Sequence, residues 1–255
     1  MRVWLLLAAL MLPLAADGAQ ERPVEAAQVL RRLPHDAGAY TEGLFIDHGQ
    51  LFESTGQVGR SSVRRVDLDS GRVLARFETP GGMFGEGIAP WKGQILSLSW
   101  RDGIGLRLAR ENLRLVGRFD YAGEGWGMTV RPSDGMIVMS DGTDTLRFVD
   151  GAGFTVTRRL KVRDGARAVD QINELEWVDG EILANIWLTD RIARIDPATG
   201  RVKGWIDVVA LHREAGAMGT DQVANGIAWD AVGRHLYVTG KEWPVMFEIR
   251  VPRQH

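Results

Sequence analysis

Phe84-Gly85-Glu86-Gly87-Ile88 sets a carboxylate between two glycines directly ahead of an apolar stretch, and steps of the same kind stand at four other places in the chain. They are Glu42-Gly43-Leu44, Trp126-Gly127-Met128, Asn173-Glu174-Leu175 and Asn225-Gly226-Ile227, so successive steps lie 44, 40, 47 and 52 residues apart. A period of that size marks a repeat architecture, in which one unit cannot bury its apolar face without a neighbour.

Outward from each step runs an apolar stretch, a turn, and a second strand ending in Ser, Thr or Trp. The second strands read as 51–55, 95–100, 136–140, 182–187 and 236–239, giving five hairpins. Alternating segments at 62–68, 145–149 and 191–195 supply a third strand. The near-copies DLDSGRV (67–73) and DPATGRV (196–202) are one turn used twice, each leading to a fourth strand at 73–77 and 202–208. Four strands per unit in five units predict an all-β fold, a five-bladed β-propeller whose first strands line a central channel. A β-sandwich or two β domains are the alternatives, and no composition shift or Pro/Ser-rich linker marks a boundary between domains. Ahead of the first repeat, 26–33 has the length of one strand and is expected to close the last blade, hiding an edge. The segment 208–217 (VVALHREAGA) reads as a short helical insertion before the last repeat.

The first residues, Met1-Arg2 and an apolar run over 3–16 with Pro13 inside it, predict a signal peptide over 1–19. The run is shorter than the roughly 20 residues that span a bilayer, which argues against the alternative of an uncleaved anchor. Residues 20–255 are then one exported domain, periplasmic or secreted, with no membrane association after cleavage. A net charge of −2 with no basic stripe argues against a nucleic-acid partner. The absence of cysteine removes disulfides and thiol chemistry, so stability has to come from the core. Nine tryptophans and 31 glycines suit many short strands joined by tight turns.

If the repeat-opening residues share one end of the channel, Glu42, Glu86, Trp126, Asn173 and Asn225 converge there. Trp100 and Trp187 end the second strands of their blades and belong at a common level. Such a rim of carboxylates, amides and indoles binds a small organic group, and desolvation raises a neighbouring carboxylate towards the range where it moves protons at neutral pH. Each residue also has a plainer use, a Trp in packing or a carboxylate in a turn. Gly123-Glu124-Gly125-Trp126-Gly127 opens no helix and carries no Lys, which argues against a phosphate loop. The five histidines show no metal-ligand spacing, and no Gly-x-Ser-x-Gly elbow is present. These residues support a polar, aromatic pocket without fixing its reaction.

Longer blocks carry more. YTEGL (40–44), ESTGQVGRSSVRRVDL (53–68), FGEGI (84–88), GEGWGMT (123–129), SDGT (140–143), NELEWVDGEILANIW (173–187), TDRI (189–192), IDPATG (195–200), NGIAWD (225–230) and VTGKEWP (238–244) occur in order. Together they resemble the plant and bacterial type of glutaminyl cyclase, the glutamine cyclotransferase family, from about Tyr40 to Trp243. The resemblance implies a five-bladed propeller, unrelated to the zinc-dependent animal enzymes, that converts N-terminal glutamine of peptides or proteins to pyroglutamate with release of ammonia. It places the active-site glutamate on Glu86 with Phe84 beside it, the aromatic wall on Trp100, Trp126 and Trp187, an amide contact on Asn173 and a basic residue on Lys241. At the first blade Tyr40-Thr41-Glu42-Gly43 stands where the family pattern has Phe-Thr-Gln-Gly. That departure either lets Glu42 bind the substrate ammonium or puts the substrate's chemistry in question. No cofactor is expected to be required for catalysis and no catalytic metal is expected, although a structural divalent cation in the channel is allowed for. A monomer is expected. Two rivals stand beside this reading: a calcium-dependent lactonase sharing Glu42, Glu86, Asn173 and Asn225 around a cation, and a non-catalytic module that binds peptide N-termini.

Overall fold

The computed structural model describes residues 22–251; the expected signal peptide lies outside them. Five large sheets, with a two-stranded ribbon of Arg163–Asp164 and Arg167–Ala168 between the third and fourth, follow one another in chain order. Blade 1 holds Thr41–Asp47, Gln50–Thr55, Ser62–Val66 and Val73–Glu78, and blade 2 holds Gly85–Trp91, Gln94–Ser99, Ile104–Ala109 and Leu115–Asp120. Blade 3 is Met128–Arg131, Met136–Met139, Thr145–Asp150 and Thr155–Lys161. Blade 4 is Ile172–Val178, Glu181–Ile186, Arg191–Ile195 and Val202–Asp207, and blade 5 is Ala224–Asp230, His235–Gly240 and Val245–Ile249. The first strand of each blade touches the first strands of its neighbours, closing a ring around the axis. The predicted five-bladed propeller is the observed fold.

The ring is completed by the N-terminal segment. Val29–Pro34 pairs antiparallel with Val245–Ile249 as the outer strand of blade 5, as expected from the sequence. Val24–Ala26 adds a parallel fifth strand to blade 4, which the sequence reading did not anticipate. The same segment therefore stitches two blades together.

Apolar side chains meet in the seams between blades, with one cluster per seam. Phe45, Phe52 and Val63 of blade 1 pack on Ile88, Ile95 and Leu108 of blade 2; blade 4 meets blade 5 through Leu183, Ile206, Ile227 and Phe247. Closeness at the axis explains the glycines of the repeat. A Cβ on Gly43 would lie 2.7 Å from the backbone nitrogen of Ile88, on Gly87 2.5 Å from the Trp126 carbonyl oxygen, and on Gly127 2.1 Å from that of Asn173. Glu174 fills the equivalent place in blade 4. Its buried carboxyl turns into the channel and accepts the backbone N–H groups of Leu44 (3.3 Å) and Ile227 (2.9 Å).

The helical insertion is real but short. Val209–Ala215 is helical and buries Leu211 and Ala215 in the seam between blades 4 and 5, and a loop over 216–223 leads back to the axis.

Candidate active site

At four of the five steps the strand pairing slips by a residue: between Thr41 and Gly43, Gly85 and Ile88, Ile172 and Leu175, and Ala224 and Ile227. A bulge of this kind re-aims one side chain. Here it turns Glu42, Glu86 and Asn173 towards one mouth of the channel. The residue following each second strand reaches the same level, because Trp100 N–H bonds to the Phe84 carbonyl, Trp187 N–H to that of Gln171 and Lys241 N–H to that of Val223. In blade 1 the corresponding residue is Gly56, where a Cβ would stand 2.4 Å from the Phe84 ring. Glycine there makes room for Phe84.

These residues enclose a cavity of about 160 Å³ lined by Tyr40, Glu42, Phe84, Glu86, Trp100, Trp126, Asn173, Trp187, Asp221 and Lys241. Nine of the ten residues singled out from the sequence are thus in one place, together with Asp221, which was not. Asn225, expected at the rim, lies beneath it, donating from Nδ2 to Glu42 Oε2 (3.0 Å) and to the Thr41 carbonyl (2.9 Å).

The aromatic side chains form a closed ring. Tyr40 meets Phe84 edge-on (centroids 6.2 Å apart), Phe84 meets Trp100 (5.6 Å), and Trp126 meets Trp187 (5.7 Å). Two carboxylates span the remaining gaps. Glu124 Oε2 accepts both Trp100 Nε1–H (2.8 Å) and Trp126 Nε1–H (2.9 Å). Asp221 accepts Trp187 Nε1–H (2.9 Å) and the Tyr40 hydroxyl. Every indole N–H of the ring is therefore held by a carboxylate, and the rings present carbon surface to whatever enters.

Under the ring lie the charged groups. Glu42 accepts from Lys241 Nζ (2.9 Å) on Oε1 and from Asn225 on Oε2, so both its oxygens are occupied by the protein. Burial pushes the Glu42 carboxyl up to about 7 even with Lys241 alongside. Burial also works against the Lys241 ammonium, but the charge of Glu42 outweighs it and keeps the lysine protonated. Lys241 Nζ also sits 4.5 Å from the centre of the Tyr40 ring, a cation–π contact. The Glu86 carboxyl has no such partner among the described residues. Burial first, and then the charge of Glu42, raise it well above the usual carboxylate range, while Lys241 opposes the rise. The protonated form of Glu86 is thereby favoured relative to that of an exposed carboxyl, and a cation beside it would favour release of the proton. Asn173 is buried with its Oδ1 lacking a hydrogen-bond partner among the described residues. It is an acceptor in want of an N–H.

This site holds a small group with an apolar surface and a polar, N–H-bearing end, and it can move one proton at Glu86. Among the described residues no three His, Asp or Glu side chains are placed to share a metal ion. Glu42, Glu86, Asn173 and Asn225 do not make the shared donor set of a cation-centred hydrolase, because Lys241 and Asn225 already occupy Glu42.

Asp221 escaped the sequence reading because it lies in the insertion before blade 5 and has no counterpart in the other repeats. Its only signal was proximity to the Asn225 step.

Comparison with known proteins agrees with this geometry. The family model described as glutamine cyclotransferase matches residues 4–251. A glutaminyl-peptide cyclotransferase of Arabidopsis thaliana is 39% identical over 230 residues, covering 88% of this chain and 71% of that protein. The crystal structure of Myxococcus xanthus glutaminyl cyclase superposes with a TM-score of 0.84 at 35% identity, over 90% of this chain and 98% of that one.

Proposed function

The chain belongs to the glutamine cyclotransferase family, and from that premise we propose that it is a glutaminyl-peptide cyclotransferase whose chemistry is carried by Glu86 within the aromatic ring. The observation that carries this is the meeting, in one cavity under the aromatic ring, of a Glu86 carboxyl that has no hydrogen-bond partner among the described residues and a proton affinity raised by burial with the vacant acceptor of Asn173.

The substrate is an N-terminal glutamine. Its amine has a pKa near ~8, so a free amine is reached at little cost near neutral pH. Entering as an ammonium, it places a cation beside Glu86, which favours release of that carboxyl's own proton to solvent; the carboxylate then accepts a proton from the ammonium and leaves the free amine. The amine nitrogen attacks the carbon of its own γ-carboxamide, forming the new C–N bond of a five-membered ring. The tetrahedral centre collapses as the original C–N bond breaks. Glu86 gives its proton to the departing nitrogen and takes the surplus proton of the ring nitrogen, so ammonia leaves, the lactam keeps one N–H and the carboxylic acid is restored. Asn173 Oδ1 accepts an N–H of the carboxamide and fixes which nitrogen departs. The ring holds the side chain folded back on the amine, and such positioning can lower the barrier by several kcal/mol.

Glu42 and Lys241 serve this step from one side. With both its oxygens bound within the protein, Glu42 acts on Glu86 through its charge, and Lys241 keeps that charge in place. Tyr40, Phe84, Trp100, Trp126 and Trp187 bind the substrate. No metal or cofactor is required in this scheme. The apolar run at 3–16 supports export to the periplasm or beyond, and the closed ring of blades supports action as a monomer.

The test is ammonia release from a short peptide beginning with Gln, with and without a chelator, by residues 20–255 and by their Glu86→Gln variant. Chelator-resistant turnover that falls at least ~100-fold in Glu86→Gln is expected. Full activity in the variant would remove Glu86 from the mechanism, and an inert wild type that still binds the peptide would make the protein a binding module.

A further inference from the structure

A peptide held by its first residue has to leave the cavity somewhere. Around most of the ring, aromatic side chains touch one another, or Glu124 and the Arg101 guanidinium (3.6 Å from the centre of the Trp100 ring) stand between them. Between Trp187 and Tyr40 the wall is a single short carboxylate, Asp221. A second hollow of about 350 Å³ adjoins it along the chain, with a lining that includes Leu188 and Thr220, the chain neighbours of Trp187 and Asp221.

Two features of that hollow stand out. The turn Ile186 to Thr189 is closed by Thr189 N–H on the Ile186 carbonyl (3.1 Å), and its third residue, Leu188, has φ of 59°. Glycine is the usual occupant of such a position, and a side chain there costs on the order of 1 kcal/mol or more. The strained leucine is not used for packing: it is 56% exposed. Facing the same hollow is Met218, 92% exposed. Its backbone is nonetheless fixed, because Gln222 Oε1 accepts the N–H groups of Met218 (3.0 Å) and Gly219 (2.8 Å), and Gln222 Nε2 is tied to Glu242 (2.9 Å). A strained leucine and a pinned methionine are presented to solvent on the two chain segments that carry Trp187 and Asp221.

We propose that Leu188 and Met218 form the subsite for the second residue of the substrate, and that it takes an apolar side chain. An extended chain advances about 3.3–3.6 Å per residue, so the second residue of a peptide whose glutamine fills the cavity crosses Asp221 and comes to rest between them. The enzyme therefore selects Gln-Leu and Gln-Phe termini over Gln-Gly or Gln-Asp. This rests on the cyclase reading of the cavity.

The experiment compares kcat/KM for glutamine amide, Gln-Gly-Ala and Gln-Leu-Ala in the wild type, in Leu188→Asn, which tolerates the left-handed backbone, in Met218→Gln and in the double variant. Wild type is expected to favour Gln-Leu-Ala over Gln-Gly-Ala about tenfold, each single variant to lose most of that preference, and the double variant to lose all of it, with glutamine amide turned over alike by all four. Equal use of the two tripeptides by the wild type, or a preference that survives the double substitution, overturns the subsite while leaving the cyclase intact. Failure to turn over glutamine amide at all would instead bring down the cyclase reading, and the subsite with it.

Discussion

Replacing Glu124 by Ala tests whether the aromatic ring binds because it is rigid. Glu124 touches no substrate-facing surface of the cavity, yet one of its oxygens holds both Trp100 and Trp126, at 2.8 and 2.9 Å, and the other holds Arg101 at 3.0 Å. Its side chain is 36% exposed, so water can replace these bonds and the stability lost is about 1 kcal/mol, roughly 2–4 °C in Tm for a chain of this size. Binding suffers more. Two freed indoles must be immobilised again by the substrate, at about 0.5–1.5 kcal/mol each, which totals about 1–3 kcal/mol and raises KM roughly 5- to 150-fold. Glu86 keeps its place in the cavity, so kcat on the plateau of the pH profile stays within about threefold, the pattern of lost uniform binding, while loss of the Glu124 charge lowers the Glu86 proton affinity and moves the acidic limb to lower pH. Glu124→Gln keeps a carbonyl oxygen for the two indoles and should recover most of the loss. The assay is continuous ammonia detection with glutamine amide. If Glu124→Ala leaves KM unchanged and lowers kcat instead, the carboxylate acts on the chemistry and the rigidity argument is wrong.

Other perturbations address the charges and the frame. The Asp221 carboxylate contributes to the raised proton affinity of both Glu42 and Glu86, so Asp221→Asn should shift the acidic limb of the kcat/KM profile to lower pH; a shift to higher pH would contradict the assignment. His35 faces the Trp243 carbonyl through Nδ1 (2.6 Å) and Glu53 through Nε2 (2.9 Å), and Glu53 also binds Arg64 (2.5 Å). Although burial opposes it, the His35 charge holds Glu53 at about 2, and this contribution, about 3 kcal/mol, is present above a pH of ~4.5 and lost as pH falls towards 2. Burial likewise opposes the His35 charge, yet Glu53 raises its pKa, so that contribution is full below a pH of ~6.5 and lost as pH rises through the folded value. Urea midpoints should therefore peak between those limits, and Glu53→Gln should flatten the acidic side. Gly127→Ala would set a Cβ 2.1 Å from the Asn173 carbonyl oxygen, and at least 1–3 kcal/mol of destabilisation is expected from chemical denaturation.

What the sequence showed plainly was whatever recurred. The glycine steps are readable because adjacent blades cannot approach the axis with a Cβ at Gly43, Gly87 or Gly127, so the constraint leaves a periodic mark. Glu42, Glu86, Trp126 and Asn173 could be placed in one site by that period, and Trp100 and Trp187 by their strand ends. Tyr40, Phe84 and Lys241 carried no periodic signal and were reached through the family pattern. Glu124 was visible in its loop but not as an anchor, since its partners are fixed only by how two indoles tilt. Asp221 depends on an insertion unique to one blade. Val24–Ala26 was missed because its pairing is decided by blade 4, 181 residues later, and not by any alternation of its own.

The N-terminal stitch has a bearing on how the chain reaches this state. Val29–Pro34 emerges from synthesis before any of the five blades but pairs with Val245–Ile249 of the fifth. Blades 1 to 4 are meanders of neighbouring strands and can assemble in order, whereas blade 5 waits with its outer edge open. That edge is formed by a strand in which Met246, Phe247 and Ile249 are buried in the finished ring, the sort of edge that recruits other chains. A second molecule's 29–34 segment fits it as well as the molecule's own. Refolding at high protein concentration therefore favours exchanged dimers, each lending its first strands to the other, and dilution during closure favours the single ring.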